Sequence, residues 1–357
     1  MASFARVNPR THAREPQSGP APQDRRSTPK GLSLLASHGA LYLLTLVGAL
    51  APLPLSVNLA FSIANGVLIA LLFILGHDAA HGSLVRKRHL NRWLARLAFI
   101  PCAHSVSLWR TIHNHGHHAR TNLKGVDTVW APMSKAEYDA ASPARRWLER
   151  VYRGPWGPLI YYYGEFWLHR MLLPLAPDVR GEWKRHLPDC LFALCGLVLT
   201  LAGILVAGHA LTPTRPLWEV LIVGWVVPFA VWNYLMAFTI YLNHTHPEIQ
   251  WFANEAMWQR FKGNAVDTVF VRMPVNLAPL YTKVMAHTAH HQQVRVPVYA
   301  LLDAQEDLTQ SGVPLIVYTL TPGAYRAIYR ACKLFDFERM SWTDFNGVPS
   351  RSQSGTC

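Results

Sequence analysis

LSLLASHGALYLLTLVGALAPLPLSVNLAFSIANGVLIALLFILG, residues 32–76, holds no Asp, Glu, Lys or Arg in 45 consecutive positions. A bilayer core about 30 Å thick takes roughly 20 apolar residues at about 1.5 Å each, so the stretch suffices for two crossings. Pro52 and Pro54 near its middle break a continuous helix, which predicts a tight hairpin with spans near 32–51 and 55–76. Two more charge-free stretches, Cys190–Thr214 and Val220–Pro247, predict spans near 190–211 and 219–243.

The rest of the chain agrees with a membrane protein. Half of its 357 residues are apolar, yet 34 Lys and Arg against 21 Asp and Glu leave a formal charge of +13. An ordinary soluble globule, a disordered chain and a disulfide-built scaffold are excluded. Cys102, Cys190, Cys195, Cys332 and Cys357 are odd in number and form no CxxC, which fits a reducing compartment. Residues 77–186 carry 17 Lys and Arg against 8 Asp and Glu, a net +9, whereas the link between the first two spans has no charge. Basic residues stay on the cytoplasmic face, so that segment, both termini and the chain after residue 244 are expected in the cytoplasm of a multi-pass protein of the bacterial inner membrane. The charge thus reads as topology, and no nucleic-acid partner is expected. Arg92–Trp109 interleaves Trp93, Leu94, Leu97 and Ile100 with Arg92 and Arg96, the pattern of a helix lying in the interface, and Gly154–Pro174 is rich in Trp and Tyr but interrupted by Glu165, His169 and Arg170, which places it at the membrane surface. The expected organisation is a disordered basic tail over 1–31, a membrane domain over 32–310 and a cytoplasmic extension over 311–357. The fold class is all-α, with four spans under a helical cytoplasmic cap.

Nine of the 18 histidines fall into four groups, each near a span end or an interfacial segment. His77 and His81 follow the second span at helical i, i+4 spacing, which projects two imidazoles from one face. His113, His117 and His118 form an HxxxHH group, and His287, His290 and His291 an HxxHH group. Adjacent histidines point about 100° apart on a helix, so an HH pair with a third His one turn earlier can serve two metals. His244 lies at the end of the fourth span. A single HxxxH is often a surface coincidence, but four such groups on one face of a membrane bundle are not. His115 is an alternative to His113 that would forfeit the HH pair, and His246 is an alternative to His244. His12, His38, His89, His104, His169, His186 and His209 have no partner at ligand spacing and read as structural or solvated.

An imidazole-rich donor set suits Zn, Cu, Fe or Ni, and nine ligands exceed one tetrahedral site, so two metals are implied. A zinc protease would need Glu after the first His, where this chain has Asp78, and would leave seven histidines unused. Two irons facing a bilayer fit activation of O2 and removal of hydrogen from an unactivated C–H bond.

HDAAHGS (77–83), WRTIHNHGHHARTN (109–122), YLNHTHP (241–247) and HTAHHQQVRVPVY (287–299) together resemble the histidine boxes of the membrane fatty acid desaturase superfamily. YLNHTHP, the VP-VY ending and VDTVWAP (126–132) are similar to its acyl-lipid Δ12/ω-6-like branch. The resemblance covers roughly residues 32–310. It implies that His77, His81, His113, His117, His118, His244, His287, His290 and His291 ligate two Fe ions, and that the chain is an O2-dependent desaturase acting on a lipid acyl chain. No HPGG segment is present, so electrons are expected from an external donor of ferredoxin or cytochrome b5 type, with Arg86-Lys-Arg88 and Arg145-Arg146 as docking patches. The second box, with three residues between its histidines where many desaturases have two, also resembles alkane hydroxylases. Hydroxylation of an alkane, lipid or carotenoid therefore stays open, as does a non-catalytic metal-binding or transport role.

Overall fold

The computed structural model describes residues 24–261, 267–276 and 278–350. Most of the tail expected over 1–31 lies outside the described residues. Among the described residues, four helices are long and apolar enough to cross a membrane: α1 (Thr28–Leu50), α2 (Leu55–His81), α3 (Trp183–Leu211) and α4 (Leu217–His244). Each is longer at one or both ends than the charge gaps alone suggest. Ser27 caps α1, its hydroxyl accepting from the Lys30 N–H, so the helix opens at Thr28. Beyond Gly76, α2 continues for five residues and ends where Gly82 adopts a left-handed φ of +79°. At the start of α3, Lys184, Arg185 and His186 form a polar first turn, and Asp189 in the next turn accepts from the Arg96 guanidinium at 2.7 Å.

The chain divides into two units. One unit comprises residues 26–112 and 159–238. Here the link after Leu50 turns at Pro52 and Pro54, and Asn58 of α2 closes the hairpin by donating to the Gly48 and Ala51 carbonyls at 3.0 Å each. Gly48 allows this close approach, since a Cβ there would lie 2.6 Å from the Phe61 ring. Asn58 also accepts from Arg215 at 2.9 Å, and Ser62 donates to the Val223 carbonyl at 2.6 Å, which ties α2 to α4. α2 is mostly buried, whereas the surface of α1 and α3 is apolar and exposed at Leu43, Leu44, Leu199 and Val206. An exposed apolar surface of this extent suits lipid rather than water. Helix Arg88–Ala98 buries Leu94, Ala95 and Ala98 while Trp93 and Leu97 stay exposed, an amphipathic element between charge and apolar surface.

The other unit holds, of the described residues, 24–25, those within 113–158 and those within 239–350. The expectation of an all-α protein needs one correction here. β1 (Val269–Arg272) pairs in parallel with β2 (Ile316–Thr319), Val269 opposite Ile316, and β3 (Leu334–Asp336) pairs antiparallel with β4 (Ser341–Thr343). VFVR and IVYT are short runs of β-branched and aromatic residues whose alternate positions are buried, the pattern of strands rather than helices. Residues expected as an extension after 310 are part of this unit: β2 completes the parallel pair, and the Trp342 indole donates to the Ile249 carbonyl at 3.0 Å.

Candidate metal centre

In the first unit, His77 and His81 sit on the last turn of α2, their rings 4.6 Å apart. Both rings lie 5.2 Å from the Trp109 ring, edge to face, and His77 Nδ1 is 3.3 Å from Asp78 Oδ1.

The other seven histidines come together in the second unit as two groups. Local winding explains how. Thr111–His117 forms a wide π-helical turn, in which residues five apart share a face. His113 therefore meets His118, their Nε2 atoms 3.0 Å apart, and His290 Nε2 lies 3.1 Å from His118 Nε2. His117, one residue earlier, faces the second group: its Nε2 is 3.2 Å from His244 Nε2, which is 2.8 Å from His287 Nε2. His291 completes that group, and all four offer a ligand atom within 4.8 Å of one another. Short helix His287–Gln292 distributes its box in the same way. His287 and His291 are one turn apart and join one group, while His290 points to the other. Its position is fixed by the Ala289 N–H donating to Gln305 Oε1 at 3.1 Å and by Val271 N–H donating to the Met285 carbonyl at 3.2 Å, which holds the preceding segment against β1.

His115 is exposed and joins neither group. His246 is also outside them: its ring stacks on Tyr318 at 5.7 Å, and its Nδ1 accepts from the Glu248 N–H at 3.2 Å. Burial lowers the His246 pKa to about 4, so this ring is neutral.

Two supporting residues were not singled out by spacing. Asp127, 1% exposed, sets both carboxylate oxygens 3.0 Å from His117 Nδ1 and accepts from the Asn122 and Val129 N–H groups at 2.8 and 2.9 Å. A carboxylate there makes Nδ1 the protonated nitrogen of His117 and leaves the Nε2 lone pair for a metal. Thr121 donates its hydroxyl to the His117 carbonyl at 2.8 Å, so its oxygen accepts from His291 Nδ1 at 3.3 Å. His291 Nε2 then carries a lone pair, and this buried atom has no hydrogen-bond partner among the described residues. Burial, and after it the imidazoles of His287, His117, His244 and His290, hold the His291 pKa well below its ordinary value. It is thus kept in the neutral form that a metal ligand requires. The signal for Asp127 in the sequence is one acid in VDTVWAP, ten residues after its partner.

The donor spacing fits a metal. A neutral imidazole nitrogen carries either a proton or a lone pair. With His117 Nε2 unprotonated, His244 Nε2 can make at most one real hydrogen bond to its two close neighbours. Nitrogens held about 2.1 Å from one ion are about 3.0 Å apart at right angles and about 3.4 Å apart in a tetrahedron. The observed separations of 2.8–3.2 Å are those of ligands around a common ion.

Comparison with known proteins shows the family of this chain. The family model for fatty acid desaturases matches residues 52–319, three quarters of the chain. The chain belongs to the fatty acid desaturase family. This desaturase is 29% identical over 269 residues to the sn-1 oleoyl-lipid 12-desaturase of Synechocystis sp., covering 74% of this chain and 72% of that one. It is 29% identical over 254 residues to the sn-1 acyl-lipid omega-3 desaturase (ferredoxin) of the same organism, covering 69% and 66%. The chloroplastic omega-6 fatty acid desaturase of Glycine max is 27% identical over 290 residues, covering 77% and 62%. The chain is an oxidoreductase, and its four apolar helices make it a membrane protein.

Proposed function

We propose that this desaturase binds two iron ions through its nine histidines and, with O2 and two electrons, introduces a double bond into the acyl chain of a membrane lipid. The observation that carries the reading is the pair of imidazole groups whose nitrogens are spaced as ligands. His117, His244, His287 and His291 would hold one ion, and His113, His118 and His290 would serve the other; His77 and His81 complete the nine by their resemblance to the first histidine box. When bound, the irons supply O2 activation and removal of two hydrogens from adjacent carbons.

The chain's own residues do the rest. Asp127 and Thr121 fix two imidazoles with Nε2 lone pairs available, so the ligands are set before a metal arrives. Apolar spans ending at the histidines let an acyl chain approach from the bilayer without water. No protein acid or base is required. The names of the relatives, oleoyl-lipid and acyl-lipid desaturases, support a lipid-linked substrate, and one of them names ferredoxin. An acidic electron carrier would dock on Arg86-Lys-Arg88 or Arg145-Arg146. The basic segment between α2 and α3 supports an orientation with both termini in the cytoplasm, in a bacterial inner membrane.

Lipid profiling of a host expressing the chain tests the reading. A new double bond in the membrane acyl chains is expected. A hydroxylated product with no new double bond would replace desaturation with hydroxylation at the same site.

A further inference from the structure

His104 has no partner at ligand spacing in the sequence, yet it is fully buried in a polar contact of defined sense. Its Nδ1 lies 2.8 Å from the Cys102 carbonyl, an acceptor only, so Nδ1 carries the proton. Its Nε2 lies 2.8 Å from the Tyr162 hydroxyl and must accept from it. Burial lowers the His104 pKa to about 3, which keeps the ring neutral with an open Nε2 lone pair. The phenol is therefore hydrogen-bonded to a base inside a buried, aromatic surround of Phe73, Phe99, Phe166 and Trp232.

This pair is joined by ring contacts to the metal-ligating end of α2. Trp109 packs on both His77 and His81 at 5.2 Å, and its ring is 5.9 Å from Phe99. Phe99 is 5.7 Å from His104. On the far side, Tyr162 is 5.8 Å from Trp232, which meets Phe229 at 4.9 Å, and Phe229 meets the half-buried Trp167 at 5.0 Å. The aromatic line thus leads from the ligands to the partly exposed segment after Gly157.

We propose that Trp109 and the Tyr162–His104 pair form a one-electron relay that draws an oxidising equivalent away from the histidine ligands when no acyl chain consumes it. This rests on the iron reading above. Tyr162 loses one electron and its hydroxyl proton. The O–H bond breaks, an N–H bond forms at His104 Nε2, and the electron passes by Phe99 and Trp109 to the oxidised iron site, lowering its oxidation state by one. An electron from the external donor, reaching the pair by Trp232 and Trp167, together with the proton returned by His104, restores the phenol. Phe99 bridges without being oxidised. A site that attacks unactivated C–H bonds otherwise spends a stranded equivalent on its own imidazoles.

The test uses the iron-loaded, reduced enzyme in lipid nanodiscs, mixed with O2 without acyl substrate and freeze-quenched for electron paramagnetic resonance. Peptide mass spectrometry then measures oxidation at His77, His81 and Trp109. The wild type is expected to give a tyrosyl radical signal. Tyr162→Phe, with equal iron content, should lose that signal and show several-fold more oxidation at the histidines and Trp109. Trp109→Phe should lower the yield of the Tyr162 radical, which keeps the relay testable if Tyr162→Phe does not fold. An iron-loaded wild type that reduces O2 but gives no tyrosyl radical, or a Tyr162→Phe with the same radical and oxidation pattern, overturns the relay alone. A chain that binds no iron overturns the relay and the metal reading together.

Discussion

The two histidine groups of the second unit share one chemistry and differ in how they are supported. In the group of His117, His244, His287 and His291, three rings are under a tenth exposed, and two have their tautomers set by Asp127 and Thr121. In the group of His113, His118 and His290, only His290 is buried; His113 and His118 are half-exposed. The difference teaches that burial and outer hydrogen bonds hold rings of the first group, whereas His113 and His118 of the second are brought together by the π-helical turn in which residues five apart share a face.

Removing a ligand from either group is the largest disturbance. His287→Ala and His290→Ala are each expected to abolish desaturation while the protein still inserts into the membrane and each retains one iron. Equal loss of both ions in each variant would show that the groups load as a unit and erase the contrast. Normal turnover in either variant would remove that residue from the ligand set.

A smaller effect belongs to Asp127→Asn, which keeps the shape but not the charged acceptor for His117 Nδ1–H. Iron affinity should fall by about 10–100-fold, as for outer partners of metal-bound histidines, measured by competition with a chelator. The loss should be confined to the preorganised group; affinity equal to wild type would deny Asp127 its positioning role. Thr121→Val removes a weaker, neutral acceptor from His291 and should cost less than Asp127→Asn in the same assay. A larger cost would reverse the ranking of the two supports. The smallest effect is expected for His115→Ala, since His115 is exposed and outside both groups. Iron content and product yield should stay at wild-type values, and a fall in either would return His115 to the register.

Much of this was legible in the sequence because the signals are long or repeated. Forty-five uncharged residues with two central prolines specify a helical hairpin, and Asn58 and Gly48 only refine how it closes. The nine histidines stand out by spacing, and the chain spacing even favours His113 over His115. Other features depend on tertiary contacts. The division of HxxxHH between two groups follows from π winding, which no local pattern announces. Asp127 is a single acid in a loop, and only burial against His117 gives it a role. VFVR and IVYT are four-residue runs 47 positions apart whose pairing depends on the fold around them. His104 read as structural because its partners Cys102 and Tyr162 are a carbonyl and a phenol, neither of which signals chemistry at a distance in sequence.

The claim on which the account stands is that the chain carries two irons. Metal analysis of the purified, full-length protein, read with its protein concentration, addresses it most directly. Two irons per chain are predicted, falling to one in His287→Ala. About one zinc and no iron per chain would contradict it.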